Sequence, residues 1–524
     1  MPNIDRDFMW LSNLDTKRRL HYLEKDQDNR TYFLHCVEED LISNAIYLDY
    51  ALRYVPEDTV GTASSCRSIM EAFVLIEAIQ KGDIPKENYA RFRDEHIFIE
   101  YANGKKEMDS ILKYADDGTW NTLVSDYNRL SRKCSEELGI SLDKFSDYSK
   151  NPLFVLFRKG DKGLKNFDSL IQEYFPDELD AYRFLGMEIH PHFFMDDKLI
   201  KKEKKQLKDL SYSLLTRTMS YLKSHYSEDM KNGPAKPLSE TVQDPLYFKP
   251  WLDFLTLQRN LLLNYLYKSI VYPTGIDAFH LYIMEKAIYL YEGMESMAIL
   301  GFREHSMMKF KSVAENLAYL FLMESGADGM KEFNAQKEAY NISSELQYLR
   351  TLKAEEGACD DLLKRLEVVF ESYYKDKYKV PFKEFKDNIL RNSKYFFSSD
   401  KDFTFKRLVQ EFLTKYFEGN TSEANLLSII YDTSIDMEHA GGYLMESSFG
   451  PWQADYEPIM GFIHAFFQEW MALGIQSRKE HGLSIYGLEE DSQNYQNVVE
   501  YVALLRATSQ TNQQLPKDDP YNKN

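Results

Sequence analysis

Apolar residues recur every three to four positions along most of this chain. Ile69, Phe73, Ile76 and Ile79 line one helical face, and Val313, Leu317, Leu320 and Phe321 line another. Strict alternation of apolar and polar residues, which marks a half-buried strand, is hard to find. The pattern therefore predicts an all-α protein. Successive amphipathic helices joined by short connections pack antiparallel, so helical bundles are the economical arrangement. No stretch has the roughly 18 consecutive apolar residues that a membrane-spanning helix needs. The start, MPNIDRDFMWLSNLDTKRR, lacks an apolar segment after a basic one, so a cytoplasmic protein is expected.

The pattern also repeats itself. Residues 45–48 read Ala-Ile-Tyr-Leu, and so do residues 287–290. Ser68-Ile69-Met70-Glu71, preceded by Arg67, is echoed by Ser312-Val313-Ala314-Glu315, preceded by Lys311. Leu170-Ile171-Gln172-Glu173-Tyr174 matches Leu408-Val409-Gln410-Glu411-Phe412, each after an Asp-Lys pair, Asp161-Lys162 and Asp400-Lys401. Tyr182 precedes His190 by eight residues, and Tyr431 precedes His439 by the same eight. The anchors keep their order while their offsets drift (242, 244, 238, 249), as duplication followed by loop insertions would leave them. The expected organisation is an N-terminal extension (1–29), a first bundle (30–230), a linker with a connecting helix (231–274), a second bundle (275–480), and a C-terminal helix with a disordered tail (481–524). The linker rests on the Pro, Gly and Ser content of NGPAKPLSETVQDP. A length of 524 residues is itself too great for one ordinary core.

Charge and cysteine usage narrow the function classes. The net charge of −19 disfavours a broad electrostatic footprint on nucleic acid or on an anionic membrane, although a local basic patch can still hold phosphate. Cys36, Cys66, Cys134 and Cys359 are scattered without metal-binding spacing and read as core thiols of a reducing compartment. There is no phosphate-binding glycine loop, HExxH, GxSxG or zinc-finger spacing, which argues against nucleotide hydrolysis, zinc proteolysis and serine hydrolysis.

Candidate chemistry centres on the repeated polar positions. Glu71, in IMEAFVLIEAI, borders the core-facing stripe, and Glu315 does the same in VAENLAYLF. A carboxylate held away from water needs a donor, so Glu71 is expected beside His190 and Glu315 beside His439. Pro191 follows His190, and Ala440-Gly441-Gly442 follows His439, which puts both histidines at helix breaks. The first half adds Arg183 and a lysine face formed by Lys198, Lys201, Lys202, Lys205 and Lys208, whereas the second has Asp432 in place of Arg183. If either half is active, it is the first, and Glu315 and His439 are then structural.

An arginine followed by six residues and a histidine on a late helix resembles the motif of the HEPN superfamily, many of whose members are metal-independent ribonucleases of bacterial toxin and antiphage systems. The Arg/Lys-Ser-apolar-x-Glu opening is also similar to an uncharacterised bacterial all-helical family, from which no activity follows. The HEPN-like resemblance implies that His190 is the acid or base acting on a ribose hydroxyl, that Arg183 stabilises the phosphorane, that Glu71 orients the imidazole, and that the lysines meet phosphate. It also implies RNA as substrate, no cofactor, and a homodimer that brings two motifs face to face. Two other readings stay open. One is a noncatalytic scaffold that meets a protein partner, its Glu and His pairs holding the fold. The other is a metal-binding bundle using Glu188, His190, His192 and Glu71, which lacks the Glu-x-x-His spacing of di-iron bundles.

Overall fold

A computed structural model describes residues 8–15, 18, 28–90, 117–138, 166–190, 197–231, 249–269, 275–300, 307–326, 330–351, 356–391, 393–396, 403–418, 420–438, 452–480 and 482–512. Among these every regular element is helical and none is a strand, as the periodicity requires. The first half is carried by α1 (Asn29–Tyr54), α2 (Thr59–Lys81), α3 (Phe167–Tyr174), α4 (Leu179–Ile189) and α5 (Asp197–Lys231). The second is carried by α6 (Lys249–Ser269), α7 (Gly275–Ile299), α8 (Phe310–Gly326), α9 (Met330–Thr351), α10 (Phe405–Tyr416), α11 (Thr421–Glu438), α12 (Trp452–Glu480) and α13 (Leu488–Asn512). Smaller helices, among them Glu356–Val369 and Phe382–Arg391, attach to this frame.

Local chemistry sets the ends of the central helices. The Asp28 carboxylate accepts the amides of Arg30 and Thr31 at the start of α1, and Asp58 accepts the Gly61 amide, 2.9 Å away, at the start of α2. α2 stops at Gly82, whose φ of 74° is left-handed and free of a Cβ clash only for glycine.

Two apolar cores result. One gathers buried residues from Phe8 to Leu222, and the other gathers residues from Leu261 to Val499. Two details bear on the expected organisation. The N-terminal extension contributes Phe8, Leu11 and Leu14 to the first core. The helix expected as a connector, α6, instead packs against α7, α12 and α13 and gives Leu262, Tyr265 and Leu266 to the second core. Periodicity gave both stretches an apolar face, and burying that face against a neighbouring core is worth more than leaving it as a solvated spacer.

The halves share an order of packing. α2 lies against α1, α3 and α4, and α8 lies against α7, α10 and α11. They also interpenetrate. Val60 belongs to the second core, while Met297, Leu300 and Tyr348 belong to the first. At the seam the buried Lys309 ammonium donates to the hydroxyls of Ser64 (2.8 Å) and Ser65 (3.0 Å) and sits 4.8 Å from the centre of the Tyr47 ring. An ammonium taken out of water needs acceptors for its N–H groups, and an aromatic face adds a further attraction.

Candidate functional site

The site forms around α4 because of how that helix starts and stops. Asn166 and Ser169 cap α3 reciprocally, and Pro176 opens a short 3-10 turn that leads into α4. The helix ends at His190, which is extended (φ −82°, ψ 147°). Pro191 dictates this, since a residue before proline is pushed out of the helical region. Along α4 Tyr182, Phe184, Leu185, Glu188 and Ile189 are buried, while Arg183, Gly186, Met187 and His190 follow its outer edge.

The two repeated glutamates are both fully buried, and both are answered first by a tyrosine of their own half. Tyr182 donates to Glu71 Oε1 at 2.6 Å, and Tyr431 donates to Glu315 Oε1 at 3.0 Å. Arg67 completes the first arrangement: its Nε and Nη2 donate to the Tyr182 oxygen at 3.1 Å each, and Nε lies 3.3 Å from Glu71. Burial, and then the Glu71 charge, push the Tyr182 phenol well above its ordinary range.

His190 does something the sequence did not suggest. Its Nδ1 lies 2.8 Å from Glu315 Oε2, so the first half's histidine completes the second half's carboxylate. Its ring stacks on Phe405, also of the second half, at 4.2 Å and 8° between planes. The imidazole is 32% exposed while Glu315 is wholly buried. The expected pairing of His190 with Glu71 is therefore corrected: His190 takes Glu315, and Glu71 takes Tyr182 and Arg67. The reason is geometric. Tyr182 of α4 meets α2 at Glu71, and His190 lies eight residues, about 12 Å, further along the helix axis, where its ring meets Glu315 of α8. His439 and His192 lie outside the described residues.

Arg183 turns outward. Its Nε donates to Asp168 Oδ2 at 2.9 Å, with both side chains largely exposed. The second half holds the same bond with its charges exchanged. Lys406, which the 238-residue offset aligns with Asp168, donates to Asp432 Oδ2 at 2.6 Å, and Asp432 aligns with Arg183. Lys198, Lys201, Lys202, Lys205 and Lys208 are exposed on α5, with Glu203 on the opposite, buried face.

Below His190 lies a second ionisable cluster that sequence reasoning used only for Glu188. Buried Glu188 of α4 faces the charge of buried Glu203 of α5, the Tyr282 hydroxyl donates to Glu203 at 3.2 Å, and Lys286 Nζ lies 3.7 Å from Glu203. Burial and the neighbouring Glu203 charge push the Glu188 carboxyl well above the usual carboxylate range. Burial also pulls Lys286 down. The lysine stands where a metal reading would need a cation, and no group of three or more His, Cys, Asp or Glu among the described residues could hold a metal ion.

No protein-family model, curated protein or solved structure matches the chain, so no inherited assignment bears on these residues.

Proposed function

We propose that the chain acts on RNA as a metal-independent, HEPN-like acid–base enzyme, with His190 as the working group and Glu315 as the residue that positions it. The observation that carries this reading is the pairing of a one-third-exposed imidazole, through Nδ1, with a wholly buried carboxylate. Such a carboxylate fixes the tautomer and raises the basicity of the opposite nitrogen. His190 Nε2 takes the proton of a ribose 2′-hydroxyl, the oxygen attacks the adjacent phosphorus, and the bond to the 5′ oxygen breaks. The proton returns to that leaving oxygen through water, leaving a cyclic phosphate and a free hydroxyl. The lysine face of α5 supplies local positive charge on a chain that is negative overall. A homodimer through the first half would bring two such sites together.

The site then belongs to both halves, which is compatible with two tandem copies of one helical unit that have come to share residues. The matched Glu71–Tyr182 and Glu315–Tyr431 bonds support that duplication.

The test is cleavage of structured RNA by the purified full chain, together with growth arrest on expression in a bacterial host. His190→Ala should abolish both. Glu315→Gln should lower the rate and move the acid limb of the pH–rate profile downward, because the imidazole loses its anionic neighbour. A harmless parent that leaves RNA intact would remove the enzyme reading.

The charge-exchanged pairs Arg183–Asp168 and Lys406–Asp432 favour a second reading, a noncatalytic scaffold. An ion pair held at matched positions with its polarity reversed is what a clamp between two helices tolerates and a phosphate-binding arginine does not.

A further inference from the structure

We propose that the outward face of α5 is a docking strip for unpaired RNA, its lysines taking successive phosphates and Tyr212 stacking on a base. The choice of polymer rests on the RNA-acting reading. The strip adds the form of RNA that is held and a place of contact separate from His190.

The strip follows from how α5 is turned. Its inner line, Glu203, Leu207, Ser211, Leu214 and Leu222, is buried, and the helix packs on α2 and α1. The Tyr282 hydroxyl (3.2 Å) and Lys286 Nζ (3.7 Å) hold Glu203 inside, and Ser211 Oγ lies 3.3 Å from Cys66 Sγ. The run Lys201-Lys202-Glu203-Lys204-Lys205 thus has its acid turned inward and its four lysines left in water, with Lys208 exposed just beyond. None of these five lysines has an ion pair among the described residues. Asp209, the first exposed acid after them, stands about 100° round the helix from Lys208.

Lys201, Lys205, Lys208 and Tyr212 follow one another at intervals of four, three and four residues, which puts them on one line. That line is about 16 Å long and gains a side chain about every 5 Å. The Tyr212 side chain is 49% exposed. A half-exposed tyrosine is ordinary by itself. At the end of a line of cations it completes what single-strand sites combine: positive charge along the backbone and a flat aromatic face for a base. The fold does not demand the lysines, since α12, which follows α11 as α5 follows α4, has a single lysine, Lys479, in its last turn.

The chain's charge of −19 favours a strand over an anionic bilayer. A bilayer is a plane, so docking on it would bring other acidic surface within the screening length of about 8 Å. A flexible strand can follow the line alone. Tyr212 can stack only on a base that is not already paired, which favours a single strand over a duplex.

The experiment uses the full chain and a fluorescent 2′-O-methyl oligouridylate of about eight nucleotides, within the span of known single-strand sites. Lacking the 2′-hydroxyl, this probe reports binding without cleavage. Anisotropy across a salt series should show the parent holding it more tightly than the matching duplex, with log K falling against log salt at a slope of about −2 to −3.5. Replacing Lys201, Lys205 and Lys208 together by Gln should reduce that slope by about 2. Tyr212→Ala should weaken binding by about ten-fold, Tyr212→Phe should hold as the parent does, and all these variants should keep the parent's melting temperature. Parent-like binding by the triple variant or by Tyr212→Ala would overturn the assignment. So would equal binding of the duplex, or tighter binding to phosphatidylserine vesicles than to the strand. If the parent cuts RNA and the triple variant binds and cuts as well as it does, the strip fails and the enzyme reading stands. If the strand binds as described and the parent cuts nothing, the strip stands and the enzyme reading fails.

Discussion

Glu71 and Glu315 are buried acids, and each has donors that depend on it. Replacing Glu71 by Leu removes the acceptor from Tyr182 and Arg67 together, so it should cost about 3 kcal/mol or more, whereas Glu71→Gln, which keeps an acceptor oxygen, should cost about 1 kcal/mol. Equal denaturant midpoints for the two variants would contradict this. The exposed Arg183–Asp168 pair calls for a different test. Arg183→Asp should cost less than about 1 kcal/mol, and Arg183→Asp combined with Asp168→Arg should recover that loss by recreating the polarity of the second half. A swapped pair that restores melting temperature and RNA cleavage alike marks Arg183 as a clamp; restored stability with lost cleavage marks it as functional. The sequence made the two glutamates legible, because acids in apolar stripes are conspicuous. It also displayed Tyr182 and Tyr431 as markers in register, yet a tyrosine in a chain this rich in aromatics gives no sign that its hydroxyl is the partner. The exchange of charge at Asp168 and Lys406 was equally visible in the aligned halves, but it gains meaning only when Arg183 and Asp432 are seen to meet them.

At the level of helices, periodicity sufficed to find α2 and α8, whose apolar faces are long and regular, and Pro191 sufficed to place the end of α4. Which helix the His190 ring would meet was not legible, since it depends on the angle at which α4 crosses α2, and crossing angles follow from packed side-chain shape rather than from hydrophobic rhythm. The pairing of α6 with α7 gives a prediction of its own. Arg259 Nη1 approaches Glu292 at 2.9 and 3.2 Å, yet burial outweighs that attraction and raises the Glu292 carboxyl to about 7 from 4.5. Between these values the folded chain keeps a proton that the unfolded chain has released. Stability should therefore fall as pH rises from about 4.5 to about 7 and level off above, by roughly 3 kcal/mol for this group alone. Glu292→Gln should flatten that part of the curve. An identical pH dependence of urea midpoints in parent and variant would mean that Arg259 wins instead.

For the molecule as a whole, two cores with exchanged residues imply one cooperative unit. Val60 is packed in the second core, Tyr348 in the first, and Lys309 is hydrogen-bonded to Ser64 and Ser65 across the seam. Calorimetry and circular dichroism should report a single coincident unfolding transition, and the halves expressed apart, divided near residue 240, should each be poorly soluble until mixed. Two separate transitions, or a stable isolated first half, would contradict the interlock. No helix among the described residues is long and apolar enough to cross a membrane. The repeated anchors suggested two halves. Their mutual dependence was not, because each repeat taken alone reads as self-sufficient.

The bond from His190 to Glu315 also sets an order in time. Synthesis runs from the N-terminus, so the imbalance is greatest while the chain is still leaving the ribosome: the ring exists 125 residues before its acid, and Phe405 and Tyr431 come later still. A nascent or truncated chain thus carries the histidine without its carboxylate, its stacking face or the phenol behind them. The full arrangement around His190 therefore exists only once residue 431 has been made.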